Sequence, residues 1–394
     1  MDRPVNARRF HGWVPFRLYW QAGEPGVEWL YMGANRFSGP FFEQTMYFEA
    51  QTPFNSLFRF RTPLAALAEW SEVSPGVKPA GFIFHLSRCG STLITRLLAS
   101  LPRNLVLSEP GLLDLMLRSH EWAPRAPLEQ RAMWLRWLVS ALGQRRSGLE
   151  QRLFVKFDPR NIVDFPLLRL AFPGVPWIFV YRNPVEVMVS NLRAPSLLVT
   201  PGIVGADFLN FDASLVAGMD YAEYVARVLG IVAETAARHA AATGGMPIDY
   251  TQLPAVVWGD LERNFGLDLT PDEVDQLKQV AAFDAKKPDR RFVSDTEDKR
   301  QEADDRVRRA AEQWISPHCA RLEEIRLAHA SGFAAFRRFL LDHPASLDRL
   351  RGLDRDAFID AALQLATQSA IPLDRSGIER AIADARAERA RRLL

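Results

Sequence analysis

Four short, almost uninterrupted apolar runs punctuate the middle of the chain: Gly81–Leu86, Leu153–Phe157, Trp177–Tyr181 and Pro247–Tyr250. Between them the apolar positions recur at helical spacing, over Ser91–Ser100, Gln130–Leu142, Pro184–Leu192 and Asp220–Ala242. Runs that are apolar at nearly every residue suit strands buried on both faces. Strands that alternate with amphipathic helices predict a parallel sheet flanked by helices, an α/β fold. Such sheets bind ligands beyond the C-terminal ends of their strands.

The flanks read differently. Residues 1–78 hold 16 of the 42 aromatics, and turn residues at Gly23, Pro25-Gly26 and Ser38-Gly39-Pro40 break that segment into short pieces. The pattern predicts strands over Trp13–Trp20, Val27–Met32 and Thr45–Phe48, with helical spacing near Leu64–Trp70. This aromatic-rich β segment is either a cap on the next domain or an acceptor-binding surface, since Trp and Tyr offer flat, amphipathic contact area. Residues 79–330 form the α/β domain. Residues 331–394 read as a small α-helical module. Asp354 caps a helix to about Gln368, and Ser376 with Glu379 makes a capping-box pattern before the last helix. Residues 287–309 carry 8 positive and 7 negative charges, a balance that suits a solvated face.

Composition narrows the function classes. At 394 residues the chain has room for two or three units of roughly 150 residues. A net charge of +2 is too small to imply a nucleic-acid coat or a polybasic membrane binder. No apolar run reaches the ~18 residues a membrane helix needs. Met1-Asp2-Arg3-Pro4 leads into an aromatic, charged stretch with no apolar signal core. Two cysteines, Cys89 and Cys319, make no disulfide framework, so a reducing, cytoplasmic setting is expected. Cys319 beside His318 has no metal-ligand companions at suitable spacing, and no metal is expected.

The chemistry concentrates in two stretches. The first is Gly81–Leu86 followed by Ser87-Arg88-Cys89-Gly90-Ser91-Thr92 and then a helix. A strand, a tight loop and a helix start aim backbone N–H groups at an anion, helped by the helix dipole. Gly90 allows close backbone approach, while Ser91 and Thr92 add hydroxyls. A Walker A loop needs Lys immediately before the hydroxyl residue. Gly90 holds that position here, which argues against a nucleoside triphosphate with magnesium. The second stretch is Trp177–Tyr181 followed by Arg182-Asn183-Pro184 and, eight residues after Arg182, Ser190. Asn183 reads as an N-cap, Pro184 as the first helical residue and Glu186 as the partner in a capping box. Arg182 and Ser190 can both reach one anion above the sheet edge.

Together these stretches resemble the two signature elements of the P-loop sulfotransferases that use 3′-phosphoadenosine 5′-phosphosulfate. The first loop is closer to the carbohydrate and protein-tyrosine branches, with Arg88 in place of the lysine of the cytosolic branch. The resemblance implies that Arg88, Cys89, Gly90, Ser91 and Thr92 hold the 5′-phosphosulfate, and that Arg182 and Ser190 hold the 3′-phosphate. It places Glu109, in Val106–Pro110, where the tyrosylprotein branch has its catalytic Glu. It matches Lys156, in Val155–Pro159, to a strand-end Lys before Asp-Pro. Ile248–Leu253 resembles a strand-to-helix turn of the family, with Thr251-Gln252 replacing Glu-Asp. Arg291–Asp295, with Ser294, resembles the loop that closes over the nucleotide. The resemblance covers roughly residues 80–320. The helical module resembles the Nif11-type units of modified-peptide leaders, which implies a possible peptide or protein partner.

The expected activity is transfer of a sulfuryl group to a hydroxyl or amine of a small-molecule, carbohydrate or peptide acceptor. Glu109 acts as general base, or else merely caps a helix. Arg88 and Lys156 stabilise charge, although Lys156 also reads as a solvated strand end. His85 is an auxiliary acid/base or a satisfied core histidine. The competing readings are an atypical P-loop kinase and a non-catalytic peptide- or nucleotide-binding protein on the same fold.

Overall fold

A computed structural model of the chain describes residues 11–37, 39–203, 216, 218–287, 289–369, 371–379 and 381–382. The first ten residues of the N-terminal segment and residues 383–394 of the helical module lie outside the described residues. The aromatic N-terminal segment forms an antiparallel sheet of β1 (Trp13–Gln21), β2 (Glu24–Tyr31) and β3 (Phe60–Pro63), in that order. Ala22 and Gly23 join β1 to β2 with φ of 50° and 83°. Left-handed residues at both positions match the twist of a two-residue hairpin. The strand expected at Thr45–Phe48 is instead part of a helix, Phe42–Ala50. Phe42 and Met46, four residues apart, are both buried, whereas Tyr47 and Phe48 are exposed. That spacing belongs to one face of a helix and not to an alternating strand.

The central sheet has five parallel strands: β4 (Pro79–His85), β5 (Asn104–Ser108), β6 (Arg152–Lys156), β7 (Trp177–Tyr181) and β8 (Met246–Asp249). Their order is β5-β6-β4-β7-β8. The sequence pattern locates four of them and misses β5, whose five buried residues sit between a helix end and a turn. Phe82, Ile83, Phe154, Val155, Ile178 and Phe179 are buried because helices cover both faces of the sheet. One apolar core runs from Val14 in β1 through the parallel sheet to Ile325, so the two sheets share it.

Helix Ser91–Ser100 follows β4, and helix Pro184–Arg193 follows β7. Asn183 caps the latter, accepting from Val185 N–H at 3.0 Å and Glu186 N–H at 3.3 Å. The expected capping box is not completed: the Glu186 carboxylate takes Arg182 Nε at 2.5 Å and Arg300 Nε at 2.8 Å instead. A long helix, Ser316–Asp342, crosses position 331. Its first half joins the main core through Leu322 and Ile325, and Phe336 and Leu340 join a second cluster with Ile359, Leu365 and Ile378. In that module Asp354 caps helix Arg355–Gln368, accepting from Ala357 N–H at 2.9 Å. The next helix start is capped by Asp374, which accepts Gly377 N–H at 2.7 Å, and not by Ser376 as expected. Ser376 Oγ donates to the same carboxylate at 2.9 Å, so the aspartate outcompetes the hydroxyl as acceptor. No helix among the described residues is long and apolar enough to cross a membrane.

Helix Tyr221–Thr243 packs against the end of helix Asp305–Trp314 at Gly230. A Cβ there would lie 2.3 Å from the Trp314 carbonyl oxygen. Gly230→Ala gains about 1 kcal/mol of helix propensity but forces two backbones apart, an overpacking cost of about 1–3 kcal/mol. The variant is expected to melt below the parent. An equal or higher melting temperature would show that the crossing has slack.

Candidate functional site

The C-terminal ends of the five strands converge on one cavity of about 1210 Å³. Arg88, Cys89, Gly90, Ser91, Thr92, Glu109, Arg182, Ser190 and Ser294 all line it. Lys156, the remaining residue singled out in the sequence, lies behind Glu109 and is joined to it.

The loop after β4 has the backbone of an anion cradle. Ser87, Arg88 and Gly90 have φ of 69°, 50° and 88°, a tight left-handed turn of the kind that nests of backbone N–H groups use. Gly90 is required by space as well as by φ: a Cβ would lie 2.8 Å from Leu253 Cδ1 and 2.9 Å from Tyr250 Cδ2. Cys89 turns its thiol away, to the Val180 carbonyl at 3.1 Å, and burial pushes its pKa up to about 11. Arg88 Nη2 donates to the Ala194 carbonyl at 2.5 Å, while its Nε is buried without a partner.

Beside this cradle is a buried charge cluster. Glu109 follows β5 with a left-handed φ of 55°, and its N–H donates to the Lys156 carbonyl at 2.7 Å. Its Oε1 is 2.8 Å from Lys156 Nζ and 3.1 Å from His85 Nε2. Ser87 N–H donates to His85 Nδ1 at 3.2 Å. With Nδ1 accepting, the His85 proton sits on Nε2 and is donated to Glu109. Burial lowers the His85 pKa, and the nearby Lys156 and Lys286 charges add to this against the Glu109 contacts. Burial alone would raise the Glu109 pKa, but the Lys156 charge and the His85 hydrogen bond hold it down to about 2. Glu109 therefore takes neither reading unchanged. It is no helix cap, because helix Gly111–Leu117 has no side-chain cap bond, and while it is paired with Lys156 it is a weak base.

Two residues beyond Lys156, Asp158 opens into the same cavity. Its Oδ1 accepts Arg160 N–H at 3.1 Å. Burial, followed by the Glu109 charge, raises its pKa to about 6.

Across the cavity, Arg182 is 5 % exposed with its guanidinium carbon 4.0 Å from the Tyr250 ring centroid. Glu186 holds its Nε, and Nη2 donates to Thr296 Oγ1 at 3.0 Å. Lys299 and Arg300, on helix Thr296–Glu302, add two cations beside it, ion-paired with Asp295 and Glu186. Ser294 Oγ donates to Thr296 Oγ1 at 3.1 Å on the same rim.

Asp158, Lys286 and Phe41 join the site without a signal in the sequence pattern that points to a role. Asp158 stands inside Val155–Pro159, and its raised pKa comes first from burial and then from a carboxylate 49 positions away. Phe41 belongs to the segment read as either a cap or an acceptor surface.

No family model matches the chain, and no curated protein does. Among solved structures it is similar to the sulfotransferase domain of the Synechococcus PCC 7002 olefin synthase, at 17% identity and TM-score 0.38, over 60% of this chain and 94% of that one. A sulfotransferase from Alicyclobacillus acidocaldarius matches at 18% identity and TM-score 0.35, over 64% and 96%. The sulfotransferase domain from the curacin biosynthetic pathway matches at 15% and 0.38, over 61% and 97%.

The raised Asp158 pKa has a stability consequence. The folded chain holds this proton more tightly than the unfolded chain, whose ordinary value is 3.8. That contribution is complete below about pH 4 and is lost as pH rises through about 6. Asp158→Asn keeps an acceptor for Arg160 N–H and never ionises. Its melting temperature is expected to exceed the parent's above pH 6, with the gap closing below pH 4. A gap independent of pH would show that Asp158 titrates normally.

Proposed function

We propose that the chain is a sulfotransferase that uses 3′-phosphoadenosine 5′-phosphosulfate and acts on a hydroxyl or amine of a small-molecule, carbohydrate or peptide acceptor. The observation that carries this reading is the pair of cationic subsites in one cavity: the loop cradle with Arg88, and Arg182 with Ser190 and Ser294. Two such subsites fit a nucleotide phosphorylated at both its 3′ and 5′ positions. The residues fit the donor on two further counts. Gly90 leaves the cradle open, and Arg88 keeps a buried N–H without a partner, which is unfavourable until an acceptor arrives. The missing Walker lysine disfavours the kinase reading.

When bound, the donor supplies a sulfuryl group whose bond to a phosphate oxygen breaks as a bond to the acceptor's oxygen or nitrogen forms. Backbone N–H groups of Cys89–Thr92 would hold the 5′ side, and Arg182, Ser190 and Ser294 the 3′-phosphate. Arg88 and Lys156 place positive charge where negative charge grows in such transfers. Lys156 also links binding to basicity. An anion in the cradle competes with Glu109 for the Lys156 ammonium, and a Glu109 released from it regains the strength to accept the acceptor's proton.

Arg182 supplies charge-assisted hydrogen bonds of about 1.5–3 kcal/mol. Arg182→Ala is therefore expected to weaken adenosine 3′,5′-bisphosphate about tenfold or more, with adenosine 5′-phosphate nearly unaffected. Calorimetry on the folded variant decides, and equal losses for both nucleotides would refute the assignment. Binding of ATP with magnesium in preference to the bisphosphate would favour the kinase.

General-base catalysis contributes about 10²–10⁴-fold, so Glu109→Gln is expected to lose turnover by that order. Its bisphosphate affinity is expected to hold or rise, because Lys156 is freed for the anion. Sulfonated product is counted by mass spectrometry, and near-parental turnover in the folded variant would remove Glu109 from the chemistry.

A further inference from the structure

The N-terminal segment reaches into the cavity. Phe41 lines it, and the centroid of its ring lies 5.0 Å from Lys156 Nζ and 5.6 Å from Lys286 Nζ. Both ammonium groups stand in cation–π range of one ring. The turn that carries Phe41 is fixed to the catalytic side of the parallel sheet: Glu43 Oε1 accepts Gly111 N–H at 2.9 Å, two residues after Glu109. Lys286 follows a stretch anchored by Arg96, whose Nη1 donates to the Phe283 and Asp284 carbonyls at 3.3 and 2.5 Å. An aromatic ring from outside the α/β domain is thus set beside the charge cluster at Glu109.

The exposed lining of the cavity carries a group of apolar side chains among polar ones. Leu197, Phe283, Phe292 and Val293 all line it and stay exposed, Leu197 at 72% and Val293 at 81%. A polar floor under an apolar wall and rim is the anatomy of a site for a ligand with an apolar body and one polar handle. Exposed apolar side chains gathered at one place mark a binding surface. A free sugar would leave that rim uncovered.

We propose that Phe41 is the wall against which the acceptor lies, and that the acceptor is a hydroxyl carried on an apolar, ring-bearing body. The reading of this ligand as an acceptor rests on the sulfotransferase reading above. Phe41 acts as a specificity-determining residue. Its edge and face pack on the acceptor body, and the hydroxyl is left facing Glu109 and Lys156.

The test titrates 2-naphthol and N-acetylglucosamine separately into the full chain by calorimetry, with and without saturating adenosine 3′,5′-bisphosphate. Naphthol is expected to bind in both conditions, and the sugar in neither. Phe41→Ala is expected to weaken naphthol about tenfold, and Phe41→Leu, which keeps most of the bulk and guards against a folding defect, by less. Both variants should keep the parent's bisphosphate affinity. The proposal is overturned if naphthol does not bind, if the sugar binds as well, or if naphthol competes with the bisphosphate, which would make the rim a seat for the base. Parental naphthol affinity in both variants overturns it too. A parent chain that binds naphthol but not the bisphosphate overturns the sulfotransferase reading instead, and with it the role of this ligand as acceptor.

Discussion

A lysine that is 1 % exposed needs a counter-charge beside it, and Glu109, half-buried at the cavity wall, meets that need for Lys156 at 2.8 Å. Removing one partner of such a pair costs about 3–5 kcal/mol, because the other is left uncompensated. The pair ties the end of β5 to the end of β6. His85 at the end of β4 and Thr92 at the start of the next helix, 3.5 Å from Lys156 Nζ, extend it to the centre of the sheet. Three strand ends and the cradle are thereby held in one register. The left-handed φ of Glu109 is the strained backbone that aims its carboxylate inward, and the ion pair holds it there.

The second subsite follows the same logic with different partners. Glu186 is 2 % exposed and holds Arg182 and Arg300 together. It leaves its expected place in a capping box to do so, because a buried carboxylate gains more from two guanidinium groups than from one backbone N–H. Tyr250 beneath the Arg182 plane fixes that plane. The Arg182 guanidinium is thereby oriented by Glu186, Thr296 and Tyr250 together.

The apolar wall of the cavity comes from segments outside the parallel sheet, while its polar groups come both from the strand ends and from helix Thr296–Glu302. Phe41 arrives from beyond the antiparallel hairpin, and Phe283, Phe292 and Val293 from the stretch that precedes helix Thr296–Glu302.

Local pattern alone set much of the fold. The bounds of Ser91–Ser100 and Trp177–Tyr181, the Asn183 and Asp354 caps, and the parallel character of the sheet follow from apolar periodicity and side chains that bond their own neighbours. The tight loop between β4 and the next helix was legible because its geometry is built within six consecutive residues. Where local signals compete, the sequence was ambiguous. Thr45–Phe48 suits a strand or a helix until Phe42 and Met46 find a common core, and Ser376 suits a cap until Asp374 takes the N–H. The strength of Glu109 as a base, the His85 tautomer, the raised Asp158 pKa and the seat of Phe41 were decided only by tertiary structure. Each involves electrostatic or packing partners 24 or more positions away along the chain, joined for the His85 tautomer by the neighbouring Ser87 N–H, and distance in sequence carries no field and no contact until the sheet brings the strand ends together.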